Sequence, residues 1–246
     1  MTRLSSFAAP INALVVGASG GLGQAFIRHL VACTQVETVH AWARQPPDFG
    51  NAKVRAARVD ITDEATIAAA AKTLRTVHLV VVATGLLHDP ETEFGPEKAW
   101  RDLDFDQLQR AFAVNTIGPA LVAKHVLGKF PRDARAVFAA ISARVGSISD
   151  NRLGGWYGYR ASKAALNQMI RSLAIELGRT RGKAVCVGLH PGTVDTRLSE
   201  PFQGNVPDRQ LFIPAASTAK LLEVIDRLQP DASGQLFAYD GSVIAP

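Results

Sequence analysis

In the stretch Gly155-Trp156-Tyr157-Gly158-Tyr159-Arg160-Ala161-Ser162-Lys163, a phenol and a primary amine stand four residues apart at Tyr159 and Lys163. If the segment is helical, the two side chains share one face a turn apart, close enough for an ammonium to influence a phenol. An unperturbed phenol has a pKa of about 10, so service as a base near neutrality requires the phenolate to be stabilised. Taken alone, the spacing is equally that of two ordinary helix residues. A second feature is the turn Gly17-Ala18-Ser19-Gly20-Gly21-Leu22-Gly23, set between an apolar run and a segment of helical period. Its glycines permit positive φ, let a pyrophosphate approach the backbone, and let the helix pack closely on the strand. The helix N-terminus then presents free N–H groups to the phosphates. Without that context the run reads as a flexible glycine-rich loop.

A fold that binds a dinucleotide needs a residue at the end of its second strand to read the adenosine ribose: an acid for a 2′-hydroxyl, a base for a 2′-phosphate. The segment Ala41-Trp42-Ala43-Arg44 contains no acid, and Arg44 is placed to pair with a 2′-phosphate through charge-assisted hydrogen bonds. NADP(H) is favoured, with NAD(H) left open and an exposed loop arginine as the plain alternative. In Val59-Asp60-Ile61, at the close of the third strand, Asp60 could bond an adenine amino group or cap the next helix.

The rest of the chain must position these groups. Short apolar runs alternate with segments of helical period, the pattern of parallel strands joined by crossover helices. Strands are expected near residues 13–16, 38–42, 54–59, 79–83, 136–141, 184–189 and 236–239, and helices near 22–31, 63–74, 105–127, 159–177 and 215–228. Asp63 or Thr62 can cap the second helix. The expected architecture is α/β: one Rossmann-type, doubly wound, seven-stranded parallel sheet, flanked by helices on both faces, in a single domain over residues 1–246. Ligands of such sheets bind beyond the carboxyl ends of the strands, where strand order reverses.

Composition sets bounds. A chain of 246 residues, 47% hydrophobic and 20% charged, can bury one sizeable core. No apolar run approaches membrane-spanning length. The opening MTRLSSFAAPIN lacks a secretory pattern and reads as a short leader into the first strand, so a cytoplasmic location is expected. Cys33 and Cys186 lie in apolar stretches without metal-site or CxxC neighbours, as buried reduced thiols would. No metal is expected. The net charge of +5 is dispersed, which argues weakly for anionic ligands and against a nucleic-acid surface.

The GxxxGxG turn, an asparagine at Asn115 in the long fourth-helix region, and YxxxK after the fifth strand together resemble the short-chain dehydrogenase/reductase superfamily over essentially the whole chain. The stretch Gly146-Ser147-Ile148, Asn151, Gly154-Gly155 and Tyr159 to Asn167 is similar to its C-factor and sniffer-like carbonyl reductase branch. The resemblance implies hydride transfer between NADP(H) and a small-molecule carbonyl or alcohol, with Tyr159 as general acid in reduction and general base in the reverse direction. It implies that Lys163 tunes the phenol and holds the nicotinamide ribose, and that Asn115 anchors a water in the proton relay. In His190-Pro191-Gly192-Thr193-Val194-Asp195-Thr196, which matches PGxxxT, it implies that the Val194 backbone and the Thr196 hydroxyl fix the carboxamide. A homodimer or homotetramer, built through the helices at 105–127 and 159–177, follows from the same likeness. A methyltransferase also uses a glycine turn but gives no reason for YxxxK or PGxxxT.

Two positions depart from the pattern. In Ile141-Ser142-Ala143-Arg144-Val145-Gly146 the family's catalytic serine position holds Ala143, and the nearest hydroxyl, Ser142, is one residue early. Adjacent strand residues face opposite ways, so Ser142 substitutes only if the strand has already turned; Ser147 is a more distant candidate. A lost donor weakens catalysis, which leaves a weakly active or inactive NADP(H)-binding sensor as the alternative function. Ala83-Thr84-Gly85 stands where the family has Asn-Ala-Gly; Gly85 still admits close cofactor approach, and Thr84 can take part of the asparagine's role. Residues 86–100 read as a loop insertion in which His88 lines the substrate mouth or is solvated. Residues 197–213 read as a mobile lid whose Phe202, Leu211 and Phe212 suggest an apolar substrate, with Trp156 as another wall or a subunit contact.

Overall fold

The structure is a computed structural model and describes residues 3–204 and 207–246. Strand β1 (Ile11–Val16) leads through the glycine turn into α1 (Gly21–Ala32), then β2 (Val36–Ala43), β3 (Val54–Arg58), α2 (Glu64–Lys72) and β4 (Leu79–Val82). The second half runs α3 (Phe105–Phe112), a π turn (Ala113–Ile117), α4 (Gly118–Val126), β5 (Ala136–Ile141), α5 (Tyr157–Thr180) and β6 (Ala184–His190). After β6 come β7 (Thr193–Val194), β8 (Leu211–Phe212), α6 (Pro214–Arg227), β9 (Leu236–Ala238) and β10 (Val243–Ile244).

The main sheet has the order β10-β9-β6-β5-β4-β1-β2-β3. Seven strands are parallel as expected, but the sheet has eight: β10 adds an antiparallel edge strand on β9, pairing Val243 with Phe237 and Ile244 with Leu236. The two residues of β10 are too few to carry a period-two pattern, and their strand character comes from the partner strand alone. β7, just before the expected lid, and β8, inside it, form a separate parallel pair. Asn205 and Val206 of that lid lie outside the described residues.

Alternation along the strands builds both cores. In β1, Ala13 and Val15 join the layer with Phe26, Leu30, Leu221 and Ile225, while Leu14 and Val16 join the layer with Ile67, Val122, Leu166 and Ile170. Helices α1 and α6 thus cover one face and α2, α4 and α5 the other. Each large apolar side chain so buried contributes about 1.5–3 kcal/mol, enough to hold a sheet whose strands are apolar on both sides. The N-terminal segment is part of this packing, with Leu4 fully buried and Ser6 donating its backbone N–H to Asp226 of α6 at 2.9 Å. Cys33 and Cys186 are buried free thiols, and burial pushes Cys186 up to about 12. No helix among the described residues is long and apolar enough to cross a membrane.

Two helices matter for the site. Asp63, not Thr62, caps α2, accepting from the Ala65 N–H at 3.0 Å. The expected helix over 105–127 is broken by the π turn, which carries the fully buried Asn115. At its end Gly118 is obligatory, because a Cβ there would lie 2.4 Å from Ile61 Cγ1. In α5 the buried face runs Gly158, Ser162, Leu166, Ile170, Ala174 and Leu177, and Lys163 sits on it with 1% exposure.

Candidate active site

Strand order reverses between β1 and β4, so the turn after β1 and the Ala83-Thr84-Gly85 segment after β4 face each other across one crevice. Gly17 has φ +87, and a Cβ on it would lie 3.0 Å from the Ala83 carbonyl carbon and 3.1 Å from Thr84 Cγ2. Gly17 and Ala18 donate their N–H groups to the Trp42 carbonyl at 2.8 and 3.0 Å, which ties the turn to β2. A Cβ on Gly23 would lie 2.1 Å from the Gly17 oxygen. Gly23→Ala is therefore expected to cost about 3 kcal/mol or more, the upper range for forcing atoms into filled space, measurable as a lowered urea midpoint. Gly20 caps α1 without a side-chain bond and no acidic residue occupies the first turn, so the positive end of the helix is uncompensated from within. Ser19, Gly20 and Gly21 are exposed and Leu22 is half-buried at this end.

At the adenosine end, Arg44 is exposed just past β2. Hydrogen bonds from Thr62 hold the Asp60 carboxyl below the usual carboxylate range against the opposing effect of burial, and Arg44 adds to the lowering. Asp60 accepts from the Thr62 N–H at 2.9 Å and hydroxyl at 2.7 Å, which closes the loop before α2; Asp63, not Asp60, caps the helix. Ile61 is buried against Gly118.

Tyr159 stands in the first turn of α5, partly buried, and the Lys163 Nζ lies 5.8 Å from its ring centroid. Lys163 donates to the Ile141 carbonyl at 2.8 Å. A Cβ on Gly85 would be 3.8 Å from that Nζ and 3.9 Å from Asn115 Oδ1, so the three groups converge on one spot. Gly146 makes this approach feasible from the other side, since a Cβ on it would lie 2.8 Å from Lys163 Cβ. Burial raises the Tyr159 phenol well above its ordinary range and pushes Lys163 down to about 7, because each charged form would lose its hydration. The protein thus favours a neutral phenol beside an amine that titrates near neutrality.

Asn115 is more committed than a free water anchor. Its Oδ1 accepts from the Leu86 N–H at 2.8 Å, and its Nδ2 donates to the Leu86 carbonyl at 2.9 Å and to Ser162 Oγ at 3.1 Å. Ser162 in turn donates to the Tyr159 carbonyl at 2.9 Å. This chain of bonds fixes the loop after β4 to the turn of α5 that carries Tyr159 and Lys163. Ser142 goes elsewhere: its hydroxyl donates to Asn167 Oδ1 at 2.7 Å, two turns along α5 from Tyr159. Ala143 is buried in extended backbone, and the Ser147 hydroxyl accepts from the Asp150 N–H at 3.1 Å.

The segment after β6 lies across the crevice. Pro191 accepts from the Ser217 hydroxyl at 2.8 Å, Gly192 has φ +77 against the Phe212 ring, and Val194 is buried in β7. The Thr196 methyl lies 2.8 Å from the position of a Cβ on Gly21, and Leu198 Cδ1 lies 3.3 Å from that on Gly85. Aromatic contacts hold the lid down. Phe202 meets Trp156 at 4.9 Å and His88 at 5.7 Å between ring centroids, and Trp156 meets Tyr159 at 6.2 Å. His88 is half-buried, with Nε2 at 2.6 Å from the Arg197 carbonyl oxygen, so it takes part in the lid contact while keeping some exposure to solvent. The sequence offered no sign of Glu97, whose carboxylate accepts from the Gly158 N–H at 3.0 Å, or of the Asn115–Ser162 bond, which joins residues 47 apart.

These residues fit a dinucleotide: a glycine cradle that side chains would fill, an uncompensated helix end for phosphates, an exposed arginine just past β2, and a Thr84 Oγ1 buried without a partner among the described residues. Comparison with known proteins agrees. A family model for short chain dehydrogenases matches residues 12–206. The C-signal protein of Myxococcus xanthus is 37% identical over 144 residues, covering 58% of this chain and 81% of that protein. The 1-hydroxy-2-glutathionyl-2-methyl-3-butene dehydrogenase of Rhodococcus sp. (strain AD45) is 34% identical over 142 residues, covering 58% of this chain and 60% of the relative. NADPH-bound carbonyl reductase from chicken fatty liver matches with a TM-score of 0.83 at 25% identity, over 97% of this chain and 100% of that one. The carbonyl reductase Sniffer of D. melanogaster shares the fold, with a TM-score of 0.82 at 21% identity over 97% of this chain and 100% of its own. With a family model spanning most of its length and the glycine turn, Asn115 and YxxxK gathered at one crevice, the chain belongs to the short-chain dehydrogenase family.

Proposed function

We propose that this protein is an NADP(H)-dependent oxidoreductase that reduces a small carbonyl compound, with Tyr159 as the proton donor. The observation that carries the reading is the convergence of the Tyr159–Lys163 pair, Asn115 and Gly85 at the strand-order reversal, facing the glycine turn. NADP(H), when bound, supplies or accepts the hydride. The chain's own part is to orient and to move a proton. Because burial keeps the Tyr159 phenol protonated at neutral pH, it is already in the form that donates to a carbonyl oxygen; the reverse reaction needs a phenolate, which burial disfavours. Lys163, lowered to about 7, can hold ribose hydroxyls and carry positive charge toward the phenol when protonated. Asn115 and Ser162 keep the loop after β4 aligned with α5. Ser142, engaged with Asn167, acts in this reading as a support between β5 and α5, so Tyr159 polarises the carbonyl without a neighbouring serine at position 143.

Phe202 and Leu198 of the lid, with Trp156 at the start of α5, make the entrance apolar and favour an aromatic or aliphatic aldehyde or ketone. The test is loss of NADPH absorbance with a panel of aldehydes, ketones and quinones. Ala143 supports one rival, a dinucleotide-binding sensor, for which NADPH binds tightly and no compound turns over. Arg44→Ala is expected to weaken NADPH binding about 10- to 100-fold, the worth of charge-assisted bonds to a phosphate, and to leave NADH within about twofold. Fluorescence titration with both nucleotides measures it, and equal loss for the two would remove Arg44 from the 2′-phosphate site. Self-association through the faces of α3, α4 and α5 is part of the proposal, and sedimentation measures it.

A further inference from the structure

The loop between β4 and α3 delivers a carboxylate to the start of α5. Glu97 is 7% exposed, and among the described residues it forms no ion pair with a cation. A carboxylate removed from water without a counter-ion is costly unless donors replace its hydration. Here the donor to the carboxylate is an amide in the first turn of α5. Glu97 Oε2 accepts from the Gly158 N–H at 3.0 Å, and the Glu97 carbonyl accepts from the Trp156 N–H at 2.6 Å. The helix needs this help, because it begins at Trp156 in left-handed backbone with φ 52, has no side-chain cap of its own, and has no acidic residue in its first turn. A carboxylate against the positive end of a 24-residue helix is favourably placed.

The contact is shaped for one residue type at position 158. A Cβ on Gly158 would lie 2.7 Å from Glu97 Oε1 and 3.2 Å from Leu108 Cδ2. The next residue is Tyr159. Glu97, Gly158 and Tyr159 border one cavity of about 10 Å³, walled further by Leu86, Phe94 and Ala111. A displacement of the carboxylate therefore reaches the phenol through a single peptide unit. We propose that Glu97 is a positioning residue for Tyr159: it caps α5 from outside the helix and fixes the direction of the phenol. The inference rests on the assignment of Tyr159 to proton transfer.

The experiment uses the full chain as wild type, Glu97→Gln, Glu97→Ala, Gly158→Ala and the Glu97→Ala/Gly158→Ala double variant. Glu97→Ala is expected to lower kcat about 10- to 100-fold, as displacement of a reacting group by about an ångström does, with KM for NADPH changed less than about twofold. Glu97→Gln, whose amide oxygen still accepts from Gly158, is expected to keep kcat within about threefold of wild type. Gly158→Ala lowers kcat in the wild-type background and adds nothing to Glu97→Ala, where the space has opened, so the pair is strongly non-additive. Hydrogen exchange in residues 157–161 accelerates in Glu97→Ala and not in Glu97→Gln. If Glu97→Ala does not fold, Gly158→Ala decides, and an unchanged kcat there overturns the proposal. It is also overturned if the Ala and Gln variants behave alike, or if amide protection at the start of α5 ignores Glu97. Turnover retained in Tyr159→Phe would instead remove the proton-transfer assignment, while amide protection still reports on the cap. A wild type without turnover overturns both.

Discussion

Tyr159→Phe is expected to turn over about a thousandfold more slowly than the wild type while binding NADPH with unchanged affinity. Loss of a positioned general acid costs about 10²–10⁴ in rate. The variant removes one oxygen and keeps the ring, so the packing against Trp156 at 6.2 Å and the Lys163 ammonium at 5.8 Å are retained. No hydrogen bond to the Tyr159 hydroxyl occurs among the described residues, and burial already disfavours its ionisation, so the fold loses nothing by its removal. A drop in kcat is therefore chemical in origin. Stopped-flow turnover with NADPH, beside fluorescence titration of the cofactor, separates the two quantities. Turnover within tenfold of wild type would mean that the proton comes from another group, and the assignment of Tyr159 would be abandoned.

Lys163→Met is expected to inactivate the enzyme and yet stabilise the protein. For activity, the variant loses the cation that lies 5.8 Å from the phenol ring and the donor offered to the ribose; kcat is expected to fall about 100-fold and KM for NADPH to rise about tenfold or more. For stability, burial lowers the folded-state pKa of Lys163 from 10.5 to about 7. Between those values the unfolded chain binds more protons than the folded one, so wild-type stability rises with pH across that window. The cost of the buried ammonium is complete below about pH 7 and vanishes above about pH 10.5. The Met variant has no such cost, although it leaves the Ile141 carbonyl without its 2.8 Å partner, a loss of about 1 kcal/mol. A net gain of about 2–4 kcal/mol at pH 6 is expected, shrinking by about 1.4 kcal/mol per pH unit above 7 and reversing sign near pH 10. Urea unfolding of the cofactor-free proteins at pH 6, 8 and 9.5 measures this. A difference that stays constant over that range would show that the ammonium is solvated in the folded state. The stabilised but inactive variant would be an instance of a site that holds a costly charge for function.

From the residues alone, the parallel α/β sheet and the turn that feeds α1 were determined. Strands buried on both faces must be apolar throughout, amphipathic helices must repeat every three to four residues, and Gly17 and Gly23 occupy backbone that no larger residue enters. The spacing of Tyr159 and Lys163 likewise needed nothing beyond a helix to bring them onto one side. What only the tertiary structure decided involves contacts between distant segments. The edge strand β10 exists because Phe237 and Leu236 offer it free backbone groups. Ser142 was the conditional candidate for the missing serine, but the chain is still extended there, its N–H paired with the Leu189 carbonyl, and Ser142 points with Phe138 and Ala140 toward α5, where it meets Asn167. His88 and Phe202 meet across 114 residues of sequence, and Glu97 reaches the start of α5 from 61 residues away. A carboxylate in a polar loop and one buried against a helix end are identical as letters; they differ in which amides surround them, and that is set only when α5 docks on the loop after β4.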